Sequence, residues 1–337
     1  MAVEIVDFTV EMLPEAARLL AHRHARDRGA YPALPERFQD PAQALELVEA
    51  VWKKQGAAGA AAVRRGELIG YLIGDVVTEA PWERSGWVRL AGCALAPGES
   101  LEILPDVYAK VGARWVDHGC FAHFAMISTA DPAWVEAWFR LSFGVEQVHA
   151  LLSLTEDPSR QAPTPKGVEI RRAGPGDAEA LGRLSTIIGS ELVREPVWAA
   201  RLPESLAQTR AGWAELPADP EAVVWLGFEA GQAIASQGYY PAASSVDPLL
   251  APQDCLHLTV AAALDEARGR GIGQALAREA FAWARKSGQR YCHTDFRSAN
   301  RSASRFLSRQ GFHPVAYRLV RRIDSRIAWA RGAEQDG

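Results

Sequence analysis

The stretch from Arg268 to Gly273, Arg-Gly-Arg-Gly-Ile-Gly, puts two arginines and three glycines in six residues. Glycine lets a ligand approach the backbone closely, and the arginines add positive charge. An apolar run, Cys255 to Leu264, precedes it. From Ile272 the apolar residues Leu276, Ala280 and Trp283 follow at the spacing of one helix face. The stretch therefore reads as a strand-to-helix turn at a helix N-terminus. Unpaired N–H groups and the helix dipole there favour a phosphate or pyrophosphate. The alternative is a glycine-rich turn with solvated arginines. A second group lies downstream. Tyr291, His293 and Asp295 alternate along a strand-like run and share one face. His257 sits in the preceding strand, Cys255 to Leu264. Asp295, His257 and His293 are each candidates for a general base. As alternatives, the histidines are satisfied core or surface groups, and Asp295 caps the next helix.

Two known phosphate loops do not fit. The P-loop ends in Gly-Lys-Ser/Thr, which is absent. GxGxxG can be started at Gly269, but its third glycine fails, and no acidic residue closes the following strand at the expected place.

The elements that must position these groups occur twice. Val3 begins "VEIVDFTVEMLPEAARLL" and Val168 begins "VEIRRAGPGDAEALGRLS". Gly66 and Gly231 lie in matching hairpin turns at the same offset, and Asp131 aligns with Asn300 at a slightly larger one. A repeat this long is a duplicated domain. Each copy reads as strand, one or two helices, three strands, helix, strand, helix, strand. The middle three strands predict an antiparallel meander and the next a parallel crossover, so the fold class is α/β with a mixed sheet. The domains are 1–154 and 168–330, joined by a proline-rich linker at 155–167.

Read as R-x-x-G-x-G, Arg268, Gly271 and Gly273 resemble the acetyl-CoA pyrophosphate loop of the GNAT superfamily of N-acetyltransferases. Asn300, Ala303, Phe306, Gly311 and Phe312 resemble a second motif of that family, and the order of elements is similar too. The resemblance implies two tandem GNAT domains and an acetyl group moved from acetyl-CoA to an amine acceptor by direct attack. It implies that backbone groups of Ala261, Ala262 and Ala263 pair with the pantetheine arm. Arg268, Gly269, Arg270, Gly271, Ile272, Gly273 and Gln274 would hold the pyrophosphate. Asn300 would reach the pantetheine end or, as its residue type also favours, cap a helix.

The first copy lacks the loop, having "APGESLEILPDV" in its place, and reads as a degenerate, supporting domain. In the second copy Leu307 stands where the family usually has a tyrosine as general acid. Tyr239, Tyr240, Tyr291 and Tyr317 are candidate substitutes. Two other readings stay open: a catalytically silent acyl-CoA-binding or regulatory module, and an enzyme like mycothiol synthase, also a tandem GNAT protein.

A net charge of −4 argues against a nucleic-acid partner or an anionic membrane surface. No basic leader precedes an apolar core at the start, and no apolar run is long enough to span a bilayer. The four cysteines form no CxxC pair and read as reduced thiols of a cytoplasmic protein. No metal is expected: His22 and His24 sit among arginines and read as a solvated helix face. Trp134 and Trp138, four apart, suit core packing or a cleft wall. The acceptor and the oligomeric state are left open.

Overall fold

The computed structural model describes residues 2–79, 82–154 and 163–333. Residues 155–162 of the expected linker lie outside them. The chain forms two compact units, Met1–Val148 with Val315–Gly337, and His149–Pro314.

The strands are β1 (Glu4–Asp7), β2 (Ala58–Arg64), β3 (Glu67–Val77), β4 (Ser85–Val88), β5 (Cys93–Leu95), β6 (Ala122–Ser128), β7 (Gly144–Ser153), β8 (Val168–Arg172), β9 (Val223–Glu229), β10 (Gln232–Pro241), β11 (Cys255–Ala263), β12 (Tyr291–Arg297) and β13 (His313–Arg322). The helices are α1 (Leu13–Ala30), α2 (Pro41–Trp52), α3 (Ile103–Asp117), α4 (Pro132–Arg140), α5 (Ala178–Leu184), α6 (Thr186–Val193), α7 (Leu206–Glu215), α8 (Ile272–Lys286), α9 (Arg301–Arg309) and α10 (Ile327–Ala333). The mixed α/β sheet expected from the element order is present. β8–β9–β10–β11 is an antiparallel meander, and β12 returns parallel to β11 after α8. The first unit repeats this, with β6 parallel to β4 after α3.

The units do not follow the linear repeat. β13, the last strand of the second copy, pairs antiparallel with β6 in the first unit, Ala316 opposite Ser128. Residues 149–153 of β7 lie beside β12 in the second unit. A division at the linker separates residues that share a core. Ala150, Leu152 and Leu154 pack with Leu256, Leu258, Phe281, Leu307 and Phe312.

In the second unit α8 covers one face of the sheet, with Ile272, Leu276, Ala280 and Phe281 buried. α5 and α7 cover the other, where Leu181, Leu184, Val224 and Leu226 form the core and Trp213 and Tyr240 pack against it. α5 and α6 divide at Ser185, whose hydroxyl donates back to Gly182 O at 2.7 Å. In the first unit Trp134 and Trp138 are core residues. The solvated face expected around His24 is corrected. Arg23, His24 and Asp27 are buried, and His24 Nε2 contacts Pro35 O at 2.7 Å. Helix periodicity places a polar residue inward as readily as an apolar one, and a bonding partner then keeps it there.

A fragment beginning at Pro165 lacks Ala150, Leu152 and Leu154. It should be less soluble than the full chain and unfold at a lower temperature. In the full chain, Leu152→Ala should cost about 2–5 kcal/mol of stability, read by urea unfolding. A fragment as stable as the parent would show that residues 149–154 are dispensable to this core.

Candidate functional site

β11 and β12 run in parallel register from Cys255 opposite Tyr291 to Leu258 opposite Thr294, and the pairing then stops. β11 bulges at this point, since Gly238 of β10 faces Val260 while Tyr239 faces Leu258, leaving Thr259 as the extra residue. Thr259 and Ala261 are exposed although their strand lies inside the sheet. Among the described residues, no strand pairs with Thr259 to Ala263 on the β12 side. Ala261, Ala262 and Ala263 thus present an open strand edge, the kind of edge to which an extended ligand can add main-chain hydrogen bonds.

The edge leads into the arginine–glycine turn. Asp265–Ala267 form a short 3-10 turn, Gly269 and Gly271 have φ of 72° and 83°, and α8 begins at Ile272. These two left-handed positions need glycine. Ala275 N–H bonds Gly271 O at 3.0 Å, so the N–H groups ahead of it point out of the helix end. Gly273 is favoured for a different reason, since a Cβ there would come within 3.2 Å of the Phe306 ring, which would have to shift. Arg268 pairs with Glu191 at 2.7 Å and Asp265 at 3.3 Å, and Arg270 pairs with Glu229. The solvated-arginine alternative is therefore partly right: both guanidiniums have carboxylate partners.

His257, His293 and Asp295 come together on the face toward α5 and α7, because His257 and His293 are register partners and Asp295 is two residues further along. His257 Nε2 lies 3.2 Å from Asp295 Oδ1, and its Nδ1 lies 2.7 Å from Ser245 Oγ. The His293 ring stands 5.1 Å from that of His257 and 5.5 Å from that of His149, centre to centre. His293 is buried, and among the described residues neither ring nitrogen has a hydrogen-bond partner. Burial pushes it well below the ordinary histidine range, with His149 and His257 adding to the shift. Burial pushes Asp295 up, but the His257 hydrogen bond and the rings of His149, His257 and His293 outweigh it and hold the carboxyl at about 2. Asp295 is thus a carboxylate at neutral pH and a weak base by itself. It does not cap α9. Asn300 does, its Oδ1 accepting from Ala303 N–H at 3.0 Å.

Residues 191–312 match the acetyltransferase (GNAT) family model. Over these residues the chain is similar to GNAT acetyltransferases. The match takes in the open edge, the turn, the His257–Asp295 pair and α9, and the family's chemistry is acyl transfer. No curated protein matches the sequence. Among solved structures, a GCN5-related N-acetyltransferase from Sphaerobacter thermophilus is 17% identical with a TM-score of 0.59, 94% of each chain being covered. A tandem GNAT protein from the clavulanic acid biosynthesis pathway is 13% identical with a TM-score of 0.52, covering 95% of this chain and 97% of that one. A glucosamine N-acetyltransferase region of a fungal multi-domain β-N-acetylglucosaminidase is 14% identical with a TM-score of 0.54, covering 95% of this chain and 38% of that one. At these identities the likeness is one of fold.

Three of the four candidate tyrosines, Tyr239, Tyr240 and Tyr317, are engaged elsewhere. Tyr239 is buried and donates to Gln237 Oε1 at 2.7 Å, and Gln237 donates in turn to Gly273 O at 2.9 Å. Tyr240 donates to Asp219 at 2.9 Å, and burial with that carboxylate pushes it up to about 12. Tyr317 belongs to the first unit, packed on its core. Leu307 is a core residue beside Phe281 and Phe312. Ser245 and His149 give no signal in the sequence, because each is a lone polar residue in an otherwise ordinary turn or strand.

The buried histidine sets a pH dependence. A histidine depressed on folding contributes stability that is full above its unfolded pKa of about 6.5 and is lost as the pH falls below it. Asp295 acts in a lower window, stabilising above about 3.9 and losing that contribution as the pH falls toward 2. His293→Leu removes two unpartnered nitrogens and one site of acid loss. It should be at least as stable as the parent at neutral pH and lose stability less steeply below about pH 6.5. His24 and His123, each held at about 4 chiefly by burial, keep part of the slope. Urea unfolding across this range is the measurement. A large loss at neutral pH would mean that the His293 imidazole is bonded after all.

Proposed function

We propose that the second unit is an N-acetyltransferase that moves an acetyl group from acetyl-CoA to a primary amine. One observation carries the reading. β11 and β12 part at Leu258 and Thr294, with the N-terminal end of α8 following β11 and the His257–Asp295 pair spanning the two strands at the opening. The pyrophosphate would sit on the N–H groups of Gly269 to Gln274 beside the Arg268 guanidinium, the pantetheine arm along Ala261 to Ala263, and the thioester near His257. Asn300 would hold α9 in place through its cap.

The chemistry needs a base more than an acid. An amine of pKa about 10.4 is mostly protonated near neutrality, so freeing it costs about 4–5 kcal/mol. A thiol of pKa about 8.5 needs at most about 2 kcal/mol to leave as thiolate. Leu307 in place of the usual acid is compatible with activity, and a base at His257–Asp295 meets the larger need.

The first unit is proposed as a degenerate copy in a supporting role. Its turn before α3 carries Glu99 and Glu102 and no arginine, which repels phosphate. At the break between β4 and β5, Tyr71 donates to Ala91 O at 2.8 Å and Arg23 donates to Cys93 O. These carbonyls are occupied by the unit's own side chains. The four cysteines are free and buried, which suits a reducing, cytoplasmic setting.

Calorimetry with acetyl-CoA should give one site per chain. Gly271→Val forces a β-branched residue to φ of 83° on the phosphate path and should weaken binding by more than tenfold (about 1.4 kcal/mol). Gly98→Val is the control. It is strained alike at φ of 80°, in the first unit's turn, and should leave binding unchanged. Arg268→Ala should weaken binding less, because that guanidinium already shares Glu191 and Asp265. Two sites per chain, or parent affinity in Gly271→Val, would contradict the assignment. With an accepted amine, Asp295→Asn should lower kcat about 10²–10⁴-fold and leave acetyl-CoA affinity unchanged.

A further inference from the structure

Ser245, His257 and Asp295 form one hydrogen-bonded chain. The Ser245 hydroxyl lies in an exposed position just past the short 3-10 turn Ala242–Ser244, which follows β10. Its backbone N–H is fixed on Ala242 O at 3.1 Å, so the hydroxyl is presented from a closed turn. It meets His257 Nδ1 at 2.7 Å, and His257 Nε2 meets Asp295 Oδ1 at 3.2 Å. A carboxylate only accepts hydrogen bonds, so it selects the neutral imidazole with the proton on Nε2. That choice leaves the lone pair on Nδ1, and Ser245 must then donate to it. The order of bonds is serine to histidine to carboxylate, the logic by which a histidine base is oriented by an acid and addressed through a hydroxyl.

We infer that Ser245 is the contact through which His257 takes the acceptor's proton, so the acceptor amine docks at the Ser245 turn and Asp295 acts as the residue that orients the base. The inference rests on the N-acetyltransferase reading. The amine nitrogen attacks the thioester carbonyl, the C–N bond forms, and the C–S bond breaks with its electron pair leaving on sulfur. The N–H proton passes to Ser245 Oγ as the Ser245 proton passes to His257 Nδ1. The imidazolium forms beside the Asp295 carboxylate and later releases its proton to solvent or to the CoA thiolate. The charged or titratable groups facing His257 are Asp295 and His293, with His149 beyond His293 and Tyr240 as its register partner on β10. Asp295 is the anion among them. Its carboxyl stays ionised through the working range, as its position at about 2 requires.

The test begins with the full chain labelled with ¹⁵N-histidine, its His257 signals assigned by their loss in His257→Gln. In mildly alkaline buffer the parent should show His257 as the Nε2–H tautomer. Asp295→Asn should lose that preference, and Ser245→Ala should keep it. An Nδ1–H tautomer in the parent, or an unchanged tautomer in Asp295→Asn, would overturn the inference, whatever the enzyme's activity. The kinetic arm follows CoA-thiol release with the fastest amine among lysine, peptide N-termini, polyamines and amino sugars. Ser245→Ala should lower kcat by about 10²-fold with KM for acetyl-CoA unchanged, and Ser245→Thr should restore most of the rate. Ser245→Ala at parental kcat across the pH profile would remove Ser245 from the proton path. No CoA release with any amine, together with the expected tautomer, would count against the acetyltransferase reading and leave the tautomer assignment standing.

Discussion

Two parallel strands cannot part inside a sheet without exposing backbone groups that had been paired, and the second unit is organised around that constraint. β11 and β12 separate after Leu258 and Thr294. An unpaired edge in a protein interior costs several kcal/mol unless something bonds to it. The bulge at Thr259 twists the strand outward, and the exposure of Thr259 and Ala261 brings the edge to solvent. The gap fixes much else. It sets where α8 must begin, where the glycines of the turn must adopt positive φ, and which residues of β12 face the opening. The first unit meets the same constraint differently: Tyr71 and Arg23 bond the carbonyls of Ala91 and Cys93 from within the protein. A break filled by the chain's own side chains is closed to a ligand; one left to solvent can accept an arm of amides.

Histidine placement follows from the same gap. In-register parallel pairing puts His257 and His293 on one face, and the strand period brings Asp295 to that face at the opening. His257 gains bonds to Ser245 and Asp295, whereas His293 gains none. Two adjacent imidazoles on one sheet face therefore have opposite energetics. One is hydrogen-bonded at both nitrogens; the other resists protonation because its charge would be buried without a partner.

Much of this was legible in the sequence because it rests on local rules. The period of α8 and the glycines at 269 and 271 encode a helix start by their own backbone preferences. The alternation of Tyr291, His293 and Asp295 encodes a shared face. Strand order followed from connection lengths. What was not legible depends on which strand pairs with which. β13 lies with β6, and the end of β7 lies beside β12, choices made by packing between segments far apart in the chain. Arg23 and His24 were misplaced for a similar reason, since burial with a partner overrides polarity and the partners, Cys93 and Pro35, lie in other elements. Ser245 was invisible because a serine in a turn has many unremarkable reasons to be there, and its bond to His257 exists only once β10 and β11 are registered.

Leu307, at the place where the resemblance expects an acid, is a core residue. It faces the core, in contact with the cluster of Phe281 and Phe312, on a helix whose start is fixed by the Asn300 cap. A tyrosine hydroxyl at that position would have to find a partner among apolar side chains or force the helix to turn. Once the core is packed around leucine, regaining the acid would need several coordinated changes, and the energetic return is small because a thiolate needs only about 2 kcal/mol of help to leave. The proton of the amine is the costlier problem by about 2–3 kcal/mol. The polar groups at this opening are a carboxylate held in its ionised form, an imidazole bonded at both nitrogens, and a hydroxyl at the surface. On the proposed reading, a base at His257–Asp295 matters more than an acid at position 307, which is the arrangement these magnitudes favour.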